Sequence, residues 1–432
     1  MTYALINAKL YDFNNYSENR YIIFDKKIIE IGDMDDFVNK DYKIIDANEH
    51  LVMPSLVVGH THIYSTFARG MSVPYNPSNF QEILDQLWWK MDREIDNEII
   101  YYSGIVSAVD YMKNGVTTLI DHHASGAEIR GSLNALKKAV TKDAGLRGIF
   151  CFETSDRFDI DEAIEENMSF INDNKTDYAR GLFGLHAAMS LSDVTLKKVS
   201  KVLGKNPIHI HVAESMMDQV DSITKYQKRV VERLDAFGLL NEDSIITHAL
   251  FVDEKELNIL QKRKCTVALN VNSNMNNGVG LPDYARFEDK GIPVIIGNDG
   301  ISSSITSEWL TLLFTMHLQY SSPNRFGFDQ ILNVINETYR YANKILGSKL
   351  GKLEVGYDAD ILTVPYIAPT PLNEGNAFGH LFFGMANSFK PDNVFARGNQ
   401  VVTNYKISKE LEDKYKEANK YATKLWDKIN QK

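Results

Sequence analysis

Histidine is the residue type of this chain best able to do chemistry near neutral pH, and its 11 copies are unevenly placed. In PSLVVGHTHIY, His60 and His62 lie two apart on an extended segment, so both imidazoles point to one side. Such a pair is half of a metal site, although HxH alone is also ordinary polar loop sequence. The remaining histidines extend the pattern. His122 and His123 follow one apolar run, His186 ends another, His209 and His211 sit on PIHIHVA, and His248 lies in SIITHA. Asp299 ends a further run, in IPVIIGNDG. Imidazoles and a carboxylate gathered in one place suit a single divalent cation, Zn²⁺ first, with Fe²⁺ or Mn²⁺ as alternatives. Glu214, three residues past His211, adds a carboxyl group suited to proton transfer.

These residues act together only if the elements carrying them converge. Eight strand-length apolar runs can be counted: 51–59, 116–121, 146–152, 181–186, 207–213, 244–249, 265–271 and 292–298. Helical stretches separate them, which implies βαβ units and a parallel sheet. No GxGxxG follows any run, so the usual open-sheet dinucleotide fold is disfavoured. A (β/α)8 TIM barrel over 54–350 is expected, and its strand ends would bring the histidines into one bowl. The flanks, 1–53 and 351–405, alternate short strand-like runs with turns and are expected to form one small β-sandwich domain from both termini. In 406–432, Ile407, Leu411, Tyr415, Ala418, Ala422, Leu425 and Ile429 recur three or four apart. That spacing predicts an amphipathic helix packed on the protein's own body.

Composition narrows the function classes. Lys and Arg total 47 against 57 Asp and Glu, giving 47 − 57 = −10, with no basic excess to bind nucleic acid. Two cysteines, Cys151 and Cys265, exclude a disulfide scaffold and a cysteine-based zinc site. Neither a signal peptide nor a membrane span is visible, so a soluble cytoplasmic protein is expected, with a small-molecule partner and a homodimeric assembly.

HxH after the first run, HxxE after the fifth, His after the sixth and Asp after the eighth resemble the amidohydrolase superfamily. GKLEVGYDADILTV resembles the stretch that re-enters its split β domain. MPSLVVGHTHIYSTFARGM, LWWKMDREI, TTLIDHHAS, GLHAAMSLS and SNMNNGVG are similar to its deaminase and chlorohydrolase branch. Within that branch they look closest to aminohydrolases found with selenium-dependent molybdenum hydroxylases. The resemblance implies that His60, His62, His211 and Asp299 hold the metal. It also implies that Glu214 shuttles protons and that His248 positions the attacking water, whose proton Asp299 accepts. Binuclear members place a bridging Lys on strand four; GLHAAMS has His186 and no Lys, so one metal is expected, with His186 as a substrate contact. GNDG departs from the GTDG usual in the branch, at Asn298.

Further substrate contacts are expected from His123, Trp88, Glu153, Arg157 and Asn274. Strand parity with Asp121 favours His123 over His122, and His209 is expected to pack inside the barrel. Trp88 lies in a long segment after the first strand, with Tyr75, Phe80 and Trp89, where aromatic rings can stack on a planar heterocycle. Arg157 is suited to a substrate carboxylate or to a surface pair with Asp156 or Asp159. The implied reaction is hydrolytic deamination of a small heterocyclic substrate. Hydrolysis of a cyclic amide or an aryl halide stands beside it, as does a non-catalytic scaffold role.

Overall fold

The computed structural model describes residues 1–431. Eight parallel strands surround a packed interior: β1 (Leu56–Thr61), β2 (Val116–His123), β3 (Arg147–Phe152), β4 (Phe183–Ala187), β5 (Ile208–Val212), β6 (Ile245–His248), β7 (Thr266–Leu269) and β8 (Val294–Ile296). Pairing runs from β1 to β3 and from β4 to β8. Parallel bridges Thr154–Leu185 and Thr61–Asp299 complete the ring. The fourth strand is broken. Ala179–Gly181 pairs with β3, while β4 pairs with β5. Just beyond the break, β4 runs so close to β3 that a Cβ on Gly184 would lie 2.2 Å from the Phe152 carbonyl oxygen, so only glycine fits.

Every residue of these strands is buried, as expected where helices cover the outside and the ring closes on itself. Ile120, Ile149, Leu182, Ile245, Ala268 and Ile295, from six of the eight strand positions, form one apolar cluster with Cys151. The helices between strands begin where the sequence supplies an acceptor side chain. Asp96, Asp159, Ser192 and Asp253 accept main-chain N–H groups at the starts of Asn97–Lys113, Ile160–Asp173, Asp193–Leu203 and Glu254–Arg263.

Strands from both chain ends build a separate sheet. Its order is Asn399–Val402, Asn393–Ala396, Ile361–Val364, Leu51–Pro54, Tyr3–Tyr11, Tyr16–Phe24 and Ile28–Asp33, with Lys43–Asp46 also beside Tyr3–Tyr11. The sheet curls over itself, so Phe24 and Phe395, with three strands between theirs in that order, meet at 4.9 Å between ring centroids. One expectation needs correction. The run 51–59 is two strands, not one: Leu51–Pro54 belongs to the terminal sheet, and β1 starts after Ser55. Pro54 ends the first piece, and the chain crosses there from sheet to barrel.

The junction between sheet and barrel is polar and buried. Arg147 donates to Asp360 Oδ2 at 3.0 Å and to the Asp177 carbonyl at 2.5 Å, and Thr117 donates to Asp360 Oδ1 at 3.0 Å. Ser55 joins through Thr117, and the Arg397 amide donates to Asp360 Oδ2 at 3.2 Å. The C-terminal helix, Lys409–Asn430, lies along Asn97–Lys113, where Tyr421 stacks on Tyr102 at 4.0 Å. Trp426 donates to the Phe67 carbonyl at 2.7 Å. Among the described residues no helix is long and apolar enough to cross a membrane.

Candidate metal centre and active site

The C-terminal ends of the strands form the site. His60 on β1 and His62 just past its end point inward, and the His62 ring lies against His211 of β5, with centroids 5.1 Å apart. Both rings are oriented by main-chain carbonyls: His62 Nδ1 donates to His122 O at 2.7 Å, and His211 Nδ1 donates to His186 O at 2.9 Å. A carbonyl can only accept, so each neutral ring keeps its lone pair on Nε2. Those two Nε2 atoms face each other at 3.1 Å. His60 Nε2 is buried without a partner, while His60 Nδ1 lies 2.8 Å from His209 Nε2.

Asp299, just past β8, completes the set: its Oδ1 is 3.1 Å from His62 Nε2, and its Oδ2 accepts from Ser273 Oγ at 2.6 Å. Two groups of potential ligand atoms, each within 4.8 Å, share His62. One is His60, His62 and Asp299; the other is His62, His122, Glu153 and His211. The four ligands expected from the sequence therefore span both groups. Facing lone pairs repel. A proton on His62 would relieve one contact, whereas a divalent cation would satisfy His60, His62, His211 and Asp299 together. The residues fit such an ion.

Electrostatics follow from the same packing. Burial alone would raise the Asp299 carboxyl, but the His62 hydrogen bond and the facing His248 and His211 rings hold it well below the ordinary range. Burial lowers His62, yet Asp299 outweighs that and carries it up to about 10. A cation at His62 Nε2 would take the place of that proton. Burial, then the neighbouring rings, keeps His60 and His211 well below the ordinary imidazole value, which suits neutral ligands.

Beside this centre, Glu214, His248 and Asp299 bring ligand-capable atoms within 4.8 Å of one another. His248 Nε2 lies 3.5 Å from Glu214 and 3.8 Å from Asp299. Burial, reinforced by Asp299, pushes Glu214 well above the ordinary carboxyl range. Burial brings His248 down to about 4. Asn274 Nδ2 donates to His248 Nδ1 at 2.8 Å and leaves Nε2 free toward the site. The backbone bends sharply here: Ala213, His248 and Asp299 have φ of +47°, +69° and +54°. Such conformations are uncommon for residues other than glycine, and three of them at strand ends mark a constrained site.

The other expected contacts divide. His62, Trp88, Glu153, His186, His211, Glu214 and Asp299 all line one cavity at the mouth. His123 does not, which corrects the expectation. It packs between Tyr64 and Phe152, and His122 faces inward with its ring centroid 4.7 Å from His211. The physical reason is parity: Ile120 fills the barrel, so His122 two residues on points the same way. Arg157 is held by Asp92 at 2.7 Å and Glu153 at 3.6 Å, rather than by Asp156 or Asp159, and does not line the cavity. Asn274 touches His248, not the cavity. Asn298 accepts from Tyr111 OH at 3.0 Å and donates to the Ser302 carbonyl, bracing the loop after Asp299.

Several residues went unforeseen. Asp92 and Asp218 line the cavity; Asp218 accepts from the Ala213 and Met189 amides at 2.8 and 3.0 Å and so fixes the turn before Glu214. Ser273 and Asn277 line it too, and Asn277 donates to Glu214 Oε1 at 3.3 Å. Their four-residue spacing in NSNMNN was the available signal.

The family model of the amidohydrolases matches residues 51–401. The chain belongs to the amidohydrolase family. Two relatives of this amidohydrolase align over most of both chains. A 5-methylthioadenosine/S-adenosylhomocysteine deaminase of Pyrococcus furiosus is 27% identical, covering 83% of this chain and 85% of its own. A 5'-deoxyadenosine deaminase of Methanobrevibacter smithii is 25% identical, covering 94% and 93%. Among solved structures, a zinc-bound adenosine deaminase from Xanthomonas campestris superposes with TM-score 0.81 at 18% identity, covering 98% of each chain. A guanine deaminase from C. acetobutylicum gives 0.76 at 15%, covering 93% of this chain and all of its own.

Proposed function

We propose that this amidohydrolase removes the amino group of a small heterocyclic amine by hydrolysis, with one resident Zn²⁺ held by His60, His62, His211 and Asp299. The observation that carries the reading is the trio Glu214, His248 and Asp299, whose ligand-capable atoms lie within 4.8 Å of one another beside the ligand cluster. The cation supplies a Lewis acid that activates water at neutral pH. Asp299, held by Ser273, accepts a proton from the incoming water. His248, fixed by Asn274, hydrogen-bonds and orients that water. Glu214 donates its proton to the ring nitrogen of the amidine. As the water oxygen bonds to the ring carbon, the proton taken by Asp299 goes to the amino group, the C–N bond breaks and ammonia leaves; the added oxygen becomes a carbonyl as its remaining proton returns to Glu214. Trp88 supplies an aromatic wall for the planar ring.

The relatives' names put adenine nucleosides first among substrates to try. The test is an ammonia-release screen of the zinc-loaded protein over adenine nucleosides, other aminopurines, pterins, pyrimidines and aminotriazines. Ammonia with stoichiometric carbonyl product supports the reading. A carboxylate or chloride product without ammonia replaces it with a cyclic amidase or chlorohydrolase.

A further inference from the structure

Five carboxylates line the cavity: Asp92, Glu153, Glu214, Asp218 and Asp299. No lysine or arginine among the described residues does. The nearest guanidinium given by the site's contacts, Arg157, stands one layer back. It is bound to Asp92 at 2.7 Å, lies 3.6 Å from Glu153, and stacks over Trp89 and Phe158 at 5.1 and 4.7 Å. Even with Glu214 protonated, as the proposed reaction requires, the other four carboxylates set against a divalent cation and Arg157 leave no surplus positive charge for a substrate anion. A cleft with low-dielectric walls focuses that potential on whatever enters.

Asp92 also has an unmet demand. The residue is 2% exposed; its Oδ2 accepts from Arg157, while its Oδ1 is buried without a hydrogen-bond partner. A buried carboxylate oxygen at a cavity wall is satisfied by a ligand N–H or O–H, and an ionised carboxylate or phosphate group facing it would offer only acceptors.

We propose that the site selects substrates without a negatively charged substituent, and that the Asp92–Arg157 pair sets this selectivity by neutralising the guanidinium that would otherwise attract anions. This rests on the deaminase reading and refines its substrate class to neutral or cationic heterocyclic amines carrying an additional N–H or O–H donor. Phosphorylated and carboxylated analogues are excluded by charge rather than by size.

The test compares heterocyclic amines with and without one anionic group, beginning with an adenine nucleoside and its 5'-monophosphate. Turnover is read as ammonia release and binding as quenching of tryptophan fluorescence. The neutral member is expected to show kcat/KM at least a hundredfold higher, mainly through KM. Asp92→Asn leaves Arg157 facing Glu153 alone, at 3.6 Å, and should shrink that ratio tenfold or more. Arg157→Gln should leave it as large as in the native protein or larger. Equal use or equal binding of both members by the native protein overturns the proposal. So does an unchanged ratio in an Asp92→Asn protein that melts like the native one. If neutral members bind selectively but no ammonia appears, the deaminase reading fails and the charge selection stands. Binding of neither member of any pair overturns both.

Discussion

The two ends of the barrel bury the same kinds of polar side chain and treat them in opposite ways. At the N-terminal end, Arg147, Asp360, Thr117 and Ser55 partner one another, and only Arg147 Nε lacks a bond. At the C-terminal end, His60 Nε2, His248 Nε2 and Asp92 Oδ1 are all buried without a hydrogen-bond partner. An unsatisfied buried group costs about 1–3 kcal/mol, so a fold tolerates a collection of them only where something else binds. Buried polarity alone thus does not mark a site; orphaned polarity does.

The sharpest way to break this comparison is to remove one ligand. His211→Ala should lower kcat/KM by about a thousandfold or more and release zinc, while the folded state survives; metal content and a melting curve check both. Unchanged zinc stoichiometry would place the ion elsewhere. At the closed end the effect should move to stability. Asp360→Ala strands Arg147 and should cost about 3–5 kcal/mol, read by denaturant unfolding, with kcat intact at low temperature.

Glu308 sharpens the contrast through pH. Burial raises it to about 8 from an ordinary 4.5, so the native state holds a proton that the unfolded chain releases. Its stabilising contribution is full below about 4.5 and falls as pH rises to 8, by at most about 1.4 kcal/mol per unit. Glu308→Gln should therefore gain melting temperature over the native protein progressively between pH 5 and 8, then level off. A constant difference across that range would contradict the assignment. The smallest effect expected is Asn274→Ala. Freeing the His248 ring should reduce kcat about tenfold and alter the pH profile of kcat, with little change in KM.

Much of this was legible in the residues. The apolar runs located all eight barrel strands, because parallel strands buried on both faces leave a continuous hydrophobic trace. The residues proposed here as ligands stood out in the sequence through their place at run ends. What escaped had physical reasons. Run 51–59 is continuous in hydropathy although Pro54 and Ser55 hand the chain from one sheet to another. His122 was misjudged because parity was counted from Asp121, a polar residue on the outward side, instead of from Ile120 in the barrel filling. Asp92 and Arg157 are 65 positions apart, and no local pattern announces a pair formed only by folding.

The terminal sheet has a consequence for biosynthesis. Leu51–Pro54 is an interior strand whose neighbour on one side, Ile361–Val364, is translated about 300 residues later. Until that segment emerges, the nascent chain carries an apolar strand with an open edge, the arrangement most prone to pair with another chain. Barrel formation can proceed behind it, but Leu51–Pro54 must wait for Ile361–Val364 to complete its pairing. Truncation before residue 361 should therefore yield chains that aggregate on synthesis.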